Sequence, residues 1–132
     1  MTDKFSFDLV SPERLLLSTE AEMVTIPGTE GEMGIMAGHM SLISTLRPGV
    51  ITVSGGTEDG QRFFVMGGVA EVNPTKLTVL AEQAVAVAEL DAATLDQRIK
   101  NAEEDLTLAK SDDERIKTQE ALDYLKGLRA AV

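Results

Sequence analysis

The single histidine of the chain, His39, lies two residues before Ser41, and this pair is the first candidate for chemistry. A serine nucleophile needs an oriented base and an oxyanion hole, and the sequence specifies neither. Zinc at His39 would lack its usual cysteine or histidine partners, because the chain has no cysteine and no second histidine. A structural or interface role is therefore favoured for His39. We predict no catalytic residue and no metal site.

Glycine interrupts the run around His39, residues 28–49, at five positions. These glycines do not form a phosphate-binding loop, since no lysine follows them at the required spacing. One interpretation is a series of tight turns whose apolar side chains enter the core. The other is an adaptable contact surface, because methionine fits varied shapes and glycine permits close backbone approach. The apolar residues concerned are Met33, Ile35, Met36, Met40, Leu42 and Ile43.

Composition limits the partners that this run can have. The formal net charge of −10 argues against binding to nucleic acids and to anionic lipids, which both attract basic surfaces. No apolar run approaches the ~20 residues of a membrane span, and no leader sequence precedes the first expected strand. We therefore expect a soluble chain that reaches a membrane only through a partner.

The elements that position these residues are predicted by periodicity. Alternation with a period of two indicates short strands separated by Gly, Pro and Asn, which is typical of a β-sandwich or barrel. A hairpin turn is expected at residues 54–60, with Thr57 near its centre. The predicted strands are residues 4–10, 14–17, 21–26, 50–53, 62–66, 69–72, 77–81 and 85–88.

The period changes near Glu89, after which apolar residues recur at steps of three and four. Asp91 and Ser111 are candidate N-caps of two helices joined by a short polar turn, with Thr94 an alternative first cap. The fold class predicted is mainly β with an α appendage: an N-terminal β-sandwich, residues 1–88, and a C-terminal antiparallel helical hairpin, residues 89–132. The predicted apolar stripes are Leu95, Ile99, Ala102, Leu106 and Ala109, then Ala121, Leu125, Leu128 and Val132.

Several motifs resemble those of the epsilon subunits of F-type ATP synthases. The most specific is G-E-x-G-I-x-x-G-H-x-x-L, which spans residues 31–42 here. The likeness extends along the whole chain and favours a bacterial member, because no transit peptide precedes the first strand. Further motifs are FSFDLVSP at 5–12, LRPG at 46–49, GGVAEV at 67–72 and LTVLA at 77–81.

The resemblance implies a rotor subunit that is not an enzyme and has no cofactor. The sandwich would bind the gamma subunit and the polar loops of the c-ring, and so couple ring rotation to the catalytic head. The hairpin would be a regulatory element that contacts the alpha and beta subunits. The implied location is the cytoplasmic face of the bacterial inner membrane, as a peripheral protein within the complex.

The resemblance also assigns interface residues within the glycine-rich run. Glu32, with its neighbours Gly31 and Met33, would face the c-ring loops, and His39, Met40 and Leu42 would lie near this interface. The turn that contains Thr57 is expected at the opposite end of the sandwich.

The nucleotide motif of the family, I/L-D-x-x-R-A, is altered here. Asp91 is kept, whereas Thr94 occupies the arginine position. Arginine offers a phosphate a charged, bidentate partner, and threonine offers one neutral hydroxyl. We therefore predict weak or absent ATP binding, with Asp91 the one nucleotide-motif residue retained.

Two other functions remain open from the residues themselves. One is a stand-alone regulatory module that binds a nucleotide or metabolite, which a measurable ligand affinity would favour. The other is a small hydrolase that uses Ser41 and His39 together with a third group. Co-purification with a gamma subunit would separate the rotor function from both.

Overall fold

Strands occupy the first part of the chain and helices the last, as the change of period at Glu89 predicts. The computed structural model describes residues 3–55 and 60–132. Within it the chain separates into two compact units, Met1–Ala88 and Glu89–Val132. The fold class, a β-sandwich-like sheet followed by two helices, is confirmed.

Among the described residues of the first unit, ten strands make up the sheet. They are short because Gly, Pro and Asn recur between them and interrupt the pairing of the backbone. A single turn of 3₁₀ helix, Val87–Glu89, follows the last strand. The strands are β1 (Phe5–Val10), β2 (Leu15–Ala21), β3 (Met23–Gly28), β4 (Gly31–Met36), β5 (Leu42–Leu46), β6 (Gly49–Ser54), β7 (Gln61–Val65), β8 (Gly68–Asn73), β9 (Lys76–Ala81) and β10 (Ala84–Ala86).

Strand β3 connects strands β10, β7 and β6 on one side of the strand order to strands β5, β8, β9, β1 and β2 on the other; we call these two groups the halves of the sandwich. The strand order is β10-β7-β6-β3-β5-β8-β9-β1-β2, and β4 pairs with β3 off this path. The first half of β3 pairs with β6, whereas its last residue, Gly28, pairs with Leu46 of β5. Strand β1 pairs in parallel with β9 and antiparallel with β2.

Alternate residues of both halves enter one hydrophobic core. Phe7 and Leu9 of β1 and Ile26 of β3 are among its largest fully buried side chains. Burial of each such side chain contributes about 1.5–3 kcal/mol. Every member of this core belongs to the first unit.

The glycine-rich run contains two strands that the sequence did not predict. Ile35 of β4 and Leu46 of β5 are buried, and Met33 and Leu42 pack against the same core. Period-two alternation is therefore present, but glycine at positions 31 and 34 hides it. The strand predicted to end at residue 26 continues through Pro27, which lies inside β3 opposite Glu32.

Other strand boundaries also differ from the prediction. Strand β2 runs further than residues 14–17, because Thr19 and Ala21 pair with Phe7 and Phe5. The last predicted strand, 85–88, is shortened by the 3₁₀ turn. The hairpin of β6 and β7 is confirmed by the pairing of Val53 with Gln61, whereas Thr57 lies outside the described residues.

Asp8 is held on the outer face of β1 by partners from both neighbouring strands. The Ser18 hydroxyl of β2 donates a 2.7 Å hydrogen bond to its carboxylate. The Lys76 ammonium of β9 lies 3.1 Å from the other carboxylate oxygen. The Ser18 hydrogen bond is the main cause that lowers the pKa of Asp8, Lys76 lowers it further, and partial burial opposes both.

This pKa predicts a pH-dependent contribution to stability. Because the folded pKa lies below the ordinary value of 3.8, the stabilisation is complete above about pH 3.8 and is lost as the pH falls through the folded value. Asp8→Asn should therefore lower the urea midpoint at neutral pH, and the difference from wild type should shrink in acid. Glu13→Gln, at an exposed carboxyl, is the control. A deficit of equal size at acid and neutral pH would contradict the assignment.

The second unit consists of two helices, α1 (Ala92–Leu108) and α2 (Asp112–Ala131). The Arg129 guanidinium of α2 lies 2.8 Å from the Asp96 carboxylate of α1, so the end of α2 meets the start of α1 and the pair is antiparallel. Both predicted caps are present. The Asp91 carboxylate accepts a hydrogen bond from the Thr94 amide, and the Ser111 hydroxyl accepts one from the Glu114 amide.

The apolar stripe of α2 is shifted from the predicted one. Leu125 and Leu128 are buried as expected, but Ala121 and Val132 are exposed. Leu122 and Ala131 are buried instead, because steps of three from Leu125 and Leu128 keep to one face. In α1 the stripe is correct, with Leu95 and Ala102 buried. Among the described residues, no helix is both long and apolar enough to cross a membrane.

Candidate functional site

Strands β3 and β4 form a hairpin whose tip is the two-residue turn Thr29-Glu30. The register places Gly28 opposite Gly31. Gly31 has a φ of +135°, which side-chain-bearing residues rarely adopt, and a Cβ on Gly28 would lie 2.8 Å from the Gly31 carbonyl oxygen. Both glycines are therefore required by the tight reversal of the chain.

The tip is fastened to the corner that ends β5. The Thr29 amide donates to the Thr45 carbonyl at 3.1 Å, and the Arg47 amide donates to the Pro27 carbonyl at 2.9 Å. The Arg47 guanidinium adds a bond from Nε to the Gly28 carbonyl at 3.1 Å. These contacts fix the position of Glu30 relative to β5.

A shallow depression of about 310 Å³ lies between this tip and β5. Its volume is at the lower end of the ~300–1,000 Å³ range of ligand pockets. Hydroxyl groups line it beside two exposed carboxylates, Glu30 and Glu32, and no basic residue is in its lining. The lining residues are Gly28, Thr29, Glu30, Gly31, Glu32, Met33, Ile43, Ser44 and Thr45.

The chemistry of this depression suits a positively charged group. Its carboxylate and hydroxyl oxygens can accept hydrogen bonds, and a guanidinium or ammonium supplies several donors. Thr29 and Thr45 bring their hydroxyl oxygens within 3.4 Å of each other. Among the described residues, no group of three His, Asp or Glu is placed to hold a metal ion. A guanidinium or ammonium group therefore matches this lining in charge and in hydrogen bonding.

The six predicted interface residues fall into two sets of three. Gly31, Glu32 and Met33 line the depression, and Met33 also packs against the core. His39, Met40 and Leu42 do not line it. Met40 is 80% exposed, whereas Leu42 packs against the core.

His39 and Ser41 show no arrangement that favours a hydrolase. The His39 ring nitrogen Nδ1 lies 2.9 Å from the carbonyl oxygen of Met40, its own neighbour. In the tautomer that carries a proton on Nδ1, the ring donates this bond and braces the turn after β4. Ser41 is exposed. The geometry supports the structural interpretation of His39.

The structure adds a surface that the sequence did not reveal, a row of apolar side chains across the outer face of four strands. The register joins Val69 of β8 to Leu80 of β9, Leu80 to Val10 of β1, and Val10 to Leu15 of β2. Leu80 is 50% and Leu15 55% exposed. We call Val69, Leu80, Val10 and Leu15 the apolar row.

A signal for the apolar row does exist in the sequence. In a half-buried strand the outward positions are usually polar, as Ser6 and Asp8 are in β1. Val10 and Leu80 break that rule at outward positions. Their alignment depends on the parallel pairing of β1 with β9, which separates them by most of the first unit.

Asp91 is occupied by the cap of α1. Its carboxylate accepts bonds from the Thr94 amide at 3.1 Å and the Thr94 hydroxyl at 2.6 Å. These bonds lower the pKa of Asp91, the side-chain bond contributing most. Thr94 thus completes a local cap at the position where the family motif carries an arginine.

We predict that the isolated chain shows no ATP affinity in the micromolar range by titration calorimetry. Loss of one charge-assisted hydrogen bond costs about 1.5–3 kcal/mol, or about ten- to a hundredfold in affinity. The Asp91–Thr94 cap also competes for the retained carboxylate. Micromolar binding would contradict this prediction, and the same titration with GTP serves as the specificity control.

Comparison with known proteins gives a consistent result. Residues 4–87 match the family model of the ATP synthase delta/epsilon chain, β-sandwich domain. The ATP synthase epsilon chain of Parvibaculum lavamentivorans is 56% identical over 132 residues, all of both chains. That of Mesorhizobium japonicum is 46% identical over 132 residues, covering 100% of this chain and 98% of the relative.

Solved structures agree at the level of the fold. A chain in the mitochondrial ATP synthase of Euglena gracilis, solved with OSCP, F1 and c-ring, superposes with a TM-score of 0.80. It is 26% identical, and the match covers 97% of this chain and 81% of that one. A chain of the Tetrahymena thermophila central stalk and c-ring, 16% identical with a TM-score of 0.63, shares the fold.

Proposed function

The chain belongs to the ATP synthase epsilon family, and from that premise we propose that it transmits rotation from the c-ring to the catalytic head through a gamma subunit. It does so as a rotor component of the central stalk without catalytic residues of its own. Its place is peripheral, on the cytoplasmic face of a bacterial inner membrane, where the complex holds it.

The acidic depression is the observation that carries the proposed ring contact. Glu32 and Glu30 are exposed on its rim, and the lining offers acceptors without a basic residue to neutralise them. A polar ring loop with an arginine or lysine would complement it. Paired charges across such an interface fix its register and speed association more than they raise affinity.

The apolar row supports the contact with gamma. Its four side chains form one band across β8, β9, β1 and β2 rather than scattered positions. A band of aligned apolar side chains on an outer face is typical of a protein interface. Met40 and His39 then lie in the turn between β4 and β5, where they can contact either rotor partner.

Co-purification tests this function directly. The tagged chain, expressed in its own host, should recover gamma and c-subunits from a detergent extract of membranes. Recovery of the tagged chain alone, with neither subunit, would overturn the proposal. A Glu20→Gln variant, altered on the edge strand β2, should recover both partners as wild type does.

We propose a weak regulatory role for the helical hairpin. Four basic residues of α2 could approach acidic parts of the alpha and beta subunits: Arg115, Lys117, Lys126 and Arg129. Arg115 already pairs with Asp112 at 2.9 Å and Arg129 with Asp96 at 2.8 Å. Since acidic residues alternate with the bases, the helix has little net positive field.

Truncation after Ala88 should therefore leave a folded subunit that binds gamma and slightly accelerates ATP hydrolysis. The fold should persist because every member of the sandwich core precedes residue 89. We expect a rise in ATPase activity of less than about threefold, the scale of exposed ion pairs. Circular dichroism and steady-state hydrolysis of the assembled enzyme measure the two effects. A many-fold rise would show that the hairpin is a strong inhibitor.

A further inference from the structure

Arg47 follows Thr45, the last lining residue of β5, by two positions and does not itself line the acidic depression. Its Nε donates to the carbonyl of Gly28, the residue at which β3 enters the turn. Its amide donates to the carbonyl of Pro27, one residue earlier. Two consecutive carbonyls of β3 therefore depend on one residue of the corner after β5.

This corner is packed closely enough to transmit the position of Arg47 to the turn. A Cβ on Gly49 would lie 2.8 Å from the Pro27 side chain, so the chain after Arg47 lies directly against β3. Gly28 also pairs with Leu46, and Thr29 with Thr45 through the backbone. The turn that carries Glu30 is thus set by this corner as well as by its own hairpin.

The positive charge of Arg47, as well as the length of its side chain, contributes to the hydrogen bond with the Gly28 carbonyl. Carbonyl oxygens that accept from a guanidinium are held more strongly than those that accept from a neutral donor. The bond is made at Gly28, where the backbone reverses and where an added Cβ would lie 2.8 Å from the Gly31 carbonyl oxygen. Glutamine would remove the charge, and lysine would keep a charged donor of similar length.

We propose that Arg47 is a positioning residue, which holds the Thr29-Glu30 turn in the geometry that lets the acidic depression receive a basic side chain of the ring. The proposal rests on the ring contact proposed above and adds a residue that does not itself line the depression but is hydrogen-bonded to Gly28, which does. Arg47 acts through Gly28 and Thr29.

Hydrogen exchange of the isolated full chain tests whether Arg47 holds the turn. Arg47→Gln should speed exchange of the Thr29 amide about tenfold, the scale of one charge-assisted hydrogen bond on a partly exposed surface. Arg47→Lys should stay within about twofold of wild type by keeping the charged donor. Arg14→Gln makes the same charge change on an exposed residue elsewhere in the unit and should have no effect.

The assembled enzyme tests whether that geometry serves the ring. With cysteines at position 32 and in a polar c-subunit loop, Arg47→Gln should slow disulfide formation at least threefold, and Arg47→Lys should restore it. Unchanged exchange in Arg47→Gln, or faster exchange with an unchanged crosslinking rate, overturns the proposal. If no crosslink forms even with Arg47 intact, both the ring contact and the role of Arg47 in it are overturned. Hydrogen exchange of the Thr29 amide then still reports whether Arg47 holds the turn.

Discussion

A disulfide between a cysteine at position 32 and one in a polar loop of the c-ring should form in high yield and leave ATP synthesis close to that of the reduced enzyme. Glu32 lies on the outer side of β4, exposed, three residues after the turn begins at Thr29. Its side chain is on the rim of the depression that we assign to the ring. A covalent link there joins two parts of the rotor that turn together, so it does not oppose rotation, and the yield of the disulfide measures the contact directly.

The control for this crosslink is a cysteine at Glu20, an exposed carboxylate on the edge strand β2. Strand β2 is at one end of the strand order, whereas β4 pairs with β3 near its middle. Thr57, on the opposite hairpin by the sequence interpretation, lies outside the described residues, so Glu20 replaces it. Efficient crosslinking at position 20 with none at 32 would show that the sandwich faces the ring with its other side.

Leu80→Asp should weaken binding of gamma by about a hundredfold or more. Leu80 is the centre of the apolar row, between Val69 and Val10. If gamma covers it, the new carboxylate loses its water without gaining a partner, and an uncompensated buried charge costs about 3–5 kcal/mol. Binding of purified gamma, measured by calorimetry or interferometry, gives the affinity.

Leu80→Met is the matched variant, since it keeps the volume and the apolar character of the side chain and should bind within about threefold. The fold should survive both changes, because Leu80 points outward while its neighbours Val79 and Ala81 are buried. A thermal unfolding curve checks this. Equal affinity of Leu80→Asp and wild type would exclude the apolar row from the gamma contact.

Local signals in the sequence were sufficient to predict those contacts that a residue makes with its near neighbours in the chain. Asp91 and Ser111 cap their helices through bonds to amides three residues on, so the types and the spacing predict the contact. The core face of β1 follows from alternation alone. By contrast, the stripe of α2 was placed one step off, because alanine occurs on both faces of that helix.

Features that depend on distant pairing could not be predicted. Strands β4 and β5 were missed because glycines interrupt the alternation of the first and the second is short. The depression is also lined by three residues of β5, namely Ile43, Ser44 and Thr45. They line it only because the hairpin of β3 and β4 lies beside them in the fold. The bond from Arg47 to Gly28 spans 19 residues and has no periodic signature.

The parallel pairing of β1 with β9 has a consequence for how the protein is made. After it leaves the ribosome, strand β1 soon meets one of its two neighbours, Leu15–Ala21, but the other, Lys76–Ala81, appears only near the end of the first unit. Contacts of such long sequence separation slow folding. The apolar row is therefore assembled late in synthesis. At ~5–20 residues per second, residues 89–132 then take a few seconds more to be translated.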